Sequence, residues 1–243
     1  MHGEQEKALL IRLDLHVHTC HSIDSTTNPR NVAQIAQSKG LDGIAVTDHN
    51  TIRGGLEAAK HSKHGVRVIV GSEIKTDIGD MICLFLNEEI RSTNALEVID
   101  LAKLQGGITV LPHPFRSNRD EKFGDIFFEV AAKVDAIEVL NGRTCPSSNK
   151  KALLLAQKLN KPAVAGSDSH FDFEVGNGRT LFPPSDREEE LKQAILEDKT
   201  SVEGIPHPFC RSVPLYLASF LNVTSRRIKQ RISSKSAMLY KGC

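Results

Sequence analysis

Seven short apolar, β-branched runs recur along this chain, at 9–17, 42–47, 66–72, 81–86, 107–111, 134–140 and 162–166. Between several of them lie segments with helical periodicity, at 31–39, 52–64, 93–105, 121–133 and 147–160. Strands separated by helices of that length predict a parallel sheet or barrel built from βα units. At 243 residues the chain is long enough to bury one large core, and α/β barrels commonly reach this size undivided. A further helix is expected at 186–198, which opens on acids, before "GIPHPF" at 204–209 breaks the pattern. The expected organisation is a domain at 1–203 and a C-terminal extension at 204–243.

That extension is basic. Residues 204–243 carry Arg211, Arg226, Arg227, Lys229, Arg231, Lys235 and Lys241 with no acid, a charge of +7. The whole chain is at +1, so residues 1–203 stand at −6. A basic tail on an acidic body suggests an anionic partner or a contact with a second copy of the chain; a solvated helix face is the plain alternative. Leu217, Phe220, Leu221, Ile228 and Ile232 fall at rough helical spacing there. Core packing, a dimer contact or an anionic-membrane face would each produce that pattern. No apolar run reaches the roughly 20 residues of a membrane span, and the N-terminus lacks a signal-peptide pattern. Five scattered cysteines without a CxxC pair suit reduced thiols, so a cytoplasmic location is expected.

Function is written at the strand ends, where parallel α/β folds gather their working groups. His16 and His18 close the first run, two residues apart and therefore on one face of a strand. Asp24 follows in the next loop, Asp48 and His49 end the second run in "VTDHN", and Glu73 ends the third in "VGSEI". His113 sits in "VLPHPF", Glu138 and Asn141 in "IEVLNG", and Asp168 and His170 in "AGSDSH". One histidine at a strand end is ordinarily a structural hydrogen-bonder; six strand ends each carrying His, Asp or Glu are not explained that way. Imidazoles and carboxylates without thiolates fit zinc, manganese or iron. The candidates are too many for one ion, so two or three divalent ions sharing a bridging carboxylate are expected. Asp24, Glu73, Asp80 and Asp168 would leave such a cluster with surplus positive charge, suited to holding a phosphate and to lowering the pKa of water toward ~7.

The motifs "DLHVHTCHSIDS", "GIAVTDHNT", "GSEI", "LPHPF" and "AGSDSH", in that order within residues 13–170, make the chain resemble the PHP (polymerase and histidinol phosphatase) superfamily. The resemblance implies a distorted (β/α)7 TIM-like barrel with a trinuclear metal site at the C-terminal ends of the strands. It makes His16, His18, Glu73 and Asp168 ligands of a first ion. Glu73 would bridge to a second ion also held by His113, and Asp24, His49 and His170 would hold a third. One position departs from the family: Asp80 stands where many members place a second histidine on the second ion. As a ligand it would shift the preference toward manganese or iron; the change would equally weaken the site. Asp48 is expected to orient an imidazole rather than bind metal. Arg116 and Arg143 are expected to grip phosphate, with Asp168 helping to deprotonate water and His170 serving as an acid toward the leaving group.

The implied activity is metal-dependent phosphoester hydrolysis. The substrate is either a small phosphomonoester such as histidinol phosphate or a nucleotide or short RNA, and the basic tail tilts the choice toward nucleotides. Two other readings share the opening His-x-His: an amidohydrolase-type barrel, and a barrel that has lost turnover and serves as a binding module.

Overall fold

A computed structural model describes residues 10–62, 65–116 and 118–205. The basic extension from residue 206 onward, with the partner expectations attached to it, lies outside the described residues. All seven expected strands form: β1 (Ile11–Val17), β2 (Gly43–Val46), β3 (Arg67–Thr76), β4 (Gly79–Leu84), β5 (Ile108–Leu111), β6 (Ala136–Asn141) and β7 (Ala163–Gly166). Two more follow, β8 (Gly178–Phe182) and β9 (Ser201–Gly204). The helices are α1 (Val32–Ser38), α2 (Arg53–His61), α3 (Ala95–Leu104), α4 (Arg119–Phe123), α5 (Asp125–Lys133), α6 (Pro146–Leu159) and α7 (Glu188–Leu196). Helix α6 starts on a proline whose missing N–H is not needed there, and ends on Asn160 in the left-handed conformation. The helix expected over 121–133 is two, because Gly124 at φ +52° ends α4 and starts α5.

The nine strands run in the order β7-β6-β5-β4-β3-β2-β1-β8-β9. Strands β1, β2 and β3 are mutually parallel, as are β5, β6 and β7. Strand β4 is antiparallel to both neighbours, which corrects the expectation of a wholly parallel sheet. The reason is local: Thr76 pairs with Gly79, leaving Asp77 and Ile78 as a two-residue connection that can only reverse the chain. The sheet nearly closes into a barrel where β7 meets β1 and β8. There Thr180 Oγ1 accepts from Ala165 N (2.8 Å) and donates to Ala165 O (2.9 Å), and His18 N donates to Ser169 O (2.9 Å). Gly166 makes the closure possible, since a Cβ there would collide with the Cβ of His16. This is the TIM-type barrel class with extra antiparallel strands.

The core lies between sheet and helices. Phe127, Val130 and Leu155 pack on Met81, Leu111 and Ile137, and Leu191 and Ile195 pack on Leu13 and Phe182. Along β1 the apolar Leu13, Leu15 and Val17 alternate with Asp14 and His16, so one face joins the core and the other carries polar groups inward. No helix among the described residues is long and apolar enough to cross a membrane.

Candidate metal centre

The site is built outward from β1. His16 donates through Nδ1 to Glu138 Oε1 (2.9 Å), because a carboxylate can only accept. Its Nε2 is thereby left with a lone pair. His18 reaches the same condition by another route. Ser22 donates its hydroxyl proton to Asp48 Oδ1 (2.6 Å), so its oxygen is left to accept from His18 Nδ1 (3.1 Å). The two Nε2 atoms then face each other 3.1 Å apart. Two lone pairs at that distance repel unless a proton or a metal ion lies with them.

Carboxylates close around this pair. Glu73 Oε2 lies 3.6 Å from His16 Nε2 and 3.4 Å from His18 Nε2; Asp168 Oδ1 lies 3.7 and 3.5 Å from the same atoms. Glu73 extends further, with Oε1 3.0 Å from His113 Nε2 and Oε2 3.0 Å from His49 Nδ1. On the other flank, Asp24 Oδ2 is 3.4 Å from both His49 Nε2 and His170 Nε2. Asp24 Oδ1 is buried with no hydrogen-bond partner. His170 Nδ1 donates to the backbone oxygen of Asp168 (2.9 Å), which again turns Nε2 inward as a lone pair. Four triads, His16–His18–Glu73, His16–His113–Asp168, His18–His49–His170 and Glu73–Asp80–His113, each offer ligand atoms within 4.8 Å of one another. The orphaned Asp24 oxygen and the facing imidazole nitrogens are what a divalent cation would satisfy, so the residues present fit such ions.

The electrostatics without an ion show the same demand. Burial opposes charge on His16, yet Asp168, Glu138 and Glu73 hold its pKa well above the ordinary value. Burial likewise works against His49, but hydrogen bonds to Asp24 and Glu73 push it up to about 10. His18 goes the other way, to about 4, through burial and the neighbouring His170. Burial would raise Glu73 and Asp168, yet His16 holds Glu73, and Arg116 together with His16 holds Asp168, well below the carboxylate range. The anionic cradle thus gathers positive charge from its own imidazoles.

Each expected residue has a definite place. Arg116 braces Asp168 through Nη2, which also donates to Asn141 Oδ1 (2.7 Å). Arg143 has Nε 3.5 Å from Glu174 Oε1, and Glu174 Oε2 accepts from the backbone N of His170 (2.8 Å). Asp80 is paired with Arg119. Asp48 is not among the converging groups: it accepts from Thr19 and Ser22, and so orders the loop after β1 and, through Ser22, the ring of His18. His21 pairs with Glu57, and His61 bonds the Glu57 carbonyl of its own helix. Glu138 links two of the candidate histidines, because its Oε1 accepts from His16 Nδ1 while its Oε2 accepts from His113 N and Asn141 Nδ2, all at 2.9 Å. Sequence reasoning missed Ser22, although it lies inside "HTCHSIDS", and Arg119, for which no local signal exists. Two candidate ligands, His113 (φ +30°) and Asp168 (φ +55°), adopt backbone conformations uncommon for such residues. Strain of this kind, about 1–3 kcal/mol per residue, clusters at working sites.

Comparison with known proteins accords with this geometry. A family model described as PHP-associated matches residues 146–200. An uncharacterized protein of Methanocaldococcus jannaschii is 42% identical over 143 residues, 54% of this chain and 82% of that protein. Over residues 146–200, and in its fold, the chain is similar to PHP-type proteins. A probable phosphatase of Photobacterium profundum is 23% identical to this chain over 206 residues, 70% of this chain and 83% of that one. The fold of this chain matches that of a Bacteroides vulgatus two-domain protein containing a predicted PHP-like metal-dependent phosphoesterase, with a TM-score of 0.69 and 19% identity. The match covers 81% of this chain and 65% of that structure.

Proposed function

We propose that this chain hydrolyses a phosphate ester with divalent ions held by His16, His18, Glu73 and Asp168 and by Asp24, His49 and His170. The observation that carries the reading is the pair of Nε2 atoms facing each other at 3.1 Å, each with its Nδ1 proton committed elsewhere. Such ions supply Lewis acidity toward a phosphoryl oxygen and acidify water. Zinc, manganese and iron all suit the donor set. Glu138 and the Ser22–Asp48 pair keep the two imidazoles presenting lone pairs, as partners of metal-binding histidines do elsewhere. Arg116 holds Asp168 ionised and fixed, with its Oδ1 facing His16 and His18, from where Asp168 is assigned to help deprotonate the attacking water. Arg143, on the loop after β6, is assigned to the oxygens of the substrate phosphate, a role suited to a guanidinium fork. His170, fixed through Nδ1, acts chiefly as a ligand. The substrate is a small phosphomonoester such as histidinol phosphate, or a mononucleotide or short RNA.

The test is protein stripped with chelator, reloaded with manganese, zinc or iron, and offered p-nitrophenyl phosphate, histidinol phosphate, mononucleotides, short RNA and a panel of amides. Phosphate release that depends on the added metal is the expected result. Amide hydrolysis without phosphate release would replace the reading with the amidohydrolase one. No turnover of any substrate by metal-loaded protein would make the barrel a binding module.

A further inference from the structure

We infer that the pocket formed by Glu73, Asp80 and His113 holds the guanidinium of Arg119 in place of a metal ion, so that this chain carries two divalent ions rather than three. The inference rests on the metal-dependent reading above and concerns only this third pocket. Arg119, the first residue of α4, is 6% exposed. Its Nη2 donates to Asp80 Oδ2 (2.7 Å), and its Nη1 to the backbone oxygens of Asp80 (3.2 Å) and Pro112 (3.4 Å). The guanidinium lies directly over Gly79, where a Cβ would come within 2.6 Å of Nε and 2.7 Å of Cζ. Glycine there leaves the room that the cation fills.

Two consequences bear on metal binding. Asp80, which offers an oxygen within 4.8 Å of ligand atoms of Glu73 and His113, is already neutralised by a buried cation with matching hydrogen-bond geometry. The second concerns His113. Arg119 Nη2 also lies 3.5 Å from His113 Nδ1. A guanidinium has only donors, so the compatible neutral imidazole keeps Nδ1 as acceptor and carries its proton on Nε2. That Nε2 then donates to Glu73 Oε1 at 3.0 Å and has no lone pair for a metal. The first-ion imidazoles are arranged in the opposite sense, with Nδ1 protons donated to Glu138 and Ser22. His113 is thus the one histidine of the cluster whose outward nitrogen faces a cation. Arg116 adds a second guanidinium whose charge reaches His113, which disfavours a further divalent charge there.

The experiment is metal quantification on reloaded, desalted protein, wild type beside Arg119→Met and Arg119→Lys. About two ions per chain are expected for the wild type and the lysine variant, and about three for the methionine variant, which removes the charge and frees Asp80 and His113. About three ions in the wild type would overturn the inference, as would an unchanged count in a folded Arg119→Met protein. A wild type that binds no ion would instead remove the metal-dependent reading, and this inference with it. Should Arg119→Met fail to fold, ¹⁵N NMR of the loaded wild type decides. A protonated Nε2 on His113 is expected, and an unprotonated, metal-shifted Nε2 would overturn the proposal.

Discussion

Replacing Glu138 with glutamine tests whether a residue that touches no ion sets the metal affinity of the centre. The carboxylate does two jobs with two oxygens: Oε1 accepts from His16 Nδ1, and Oε2 accepts from both His113 N and Asn141 Nδ2, all at 2.9 Å. Glutamine has one acceptor. If its oxygen meets the His113 loop, its NH₂ faces His16 Nδ1, which must become the acceptor, and the proton moves to the Nε2 that would bind metal. If its oxygen meets His16, the NH₂ confronts two donors. The first outcome lowers metal affinity by about 10–100-fold, or roughly 1.4–2.7 kcal/mol, the range found when such outer partners of ligating histidines are lost. The second leaves buried donors unsatisfied and costs about 1–3 kcal/mol of metal-free stability. Competition with a chromophoric chelator reads the affinity, and urea unfolding of the metal-free protein reads the stability. Since Glu138 is 2% exposed, solvent cannot rescue either arrangement. Metal affinity within twofold of wild type, together with an unchanged unfolding midpoint, would refute the tautomer argument.

Three more outcomes follow from the packing around the centre and at the surface. Chelation should lower the melting temperature by about 5–10 °C for each ion removed, since one ion at 100-fold above its Kd stabilises by ~2.7 kcal/mol and each kcal/mol moves a chain of this size by about 2–4 °C; identical scans with and without chelator would contradict it. Gly166→Ala places a Cβ against His16 Cβ, 2.8 Å from its backbone N and 3.0 Å from Glu138 Oε1, and should cost about 1–3 kcal/mol in urea unfolding while weakening metal binding. A fully stable, metal-binding G166A protein would mean that β7 and β1 are not in the contact described. The exposed Cys145 thiol lies 3.2 Å from the Ser147 and Ser148 hydroxyls, which lower its pKa to about 7. Because the thiolate is the nucleophile, its alkylation, followed by peptide mass spectrometry, should rise through a midpoint near pH 7 and move up toward ~8.5 in S147A/S148A; equal midpoints would show the hydroxyls have no such effect.

Much of this was legible in one dimension because strand ends are local. A β-branched run followed by "HVH", "TDHN" or "GSE" carries both the strand and the group at its tip, and period-two alternation alone puts His16 and His18 on one face. The seven strands were found that way, whereas β8 and β9 were not. Strand β8 reads "GRTLF" and β9 "SVEG", short runs with one β-branched residue each, too weak to mark a strand even with α7 between them. The antiparallel turn of β4 was readable in principle from its two-residue spacing at Asp77–Ile78, yet the regular βα rhythm on either side masked it.

The residue types at the strand tips, and hence a chemistry of imidazoles and carboxylates without thiolates, are properties of the chain itself. How each ring is turned is not, because a tautomer depends on whatever faces the outer nitrogen. For His16 that is Glu138, 122 positions away; for His18 it is Ser22, backed by Asp48 from the next strand. The left-handed backbone at His113 and Asp168 exists only because the surrounding loops hold it there. Arg119 is the extreme case: it lies 39 positions from Asp80, and only a short helix landing over a side-chain-free Gly79 sets its charge into the pocket. Local sequence encodes which ligands are offered, and long-range packing decides which of them have a lone pair to give.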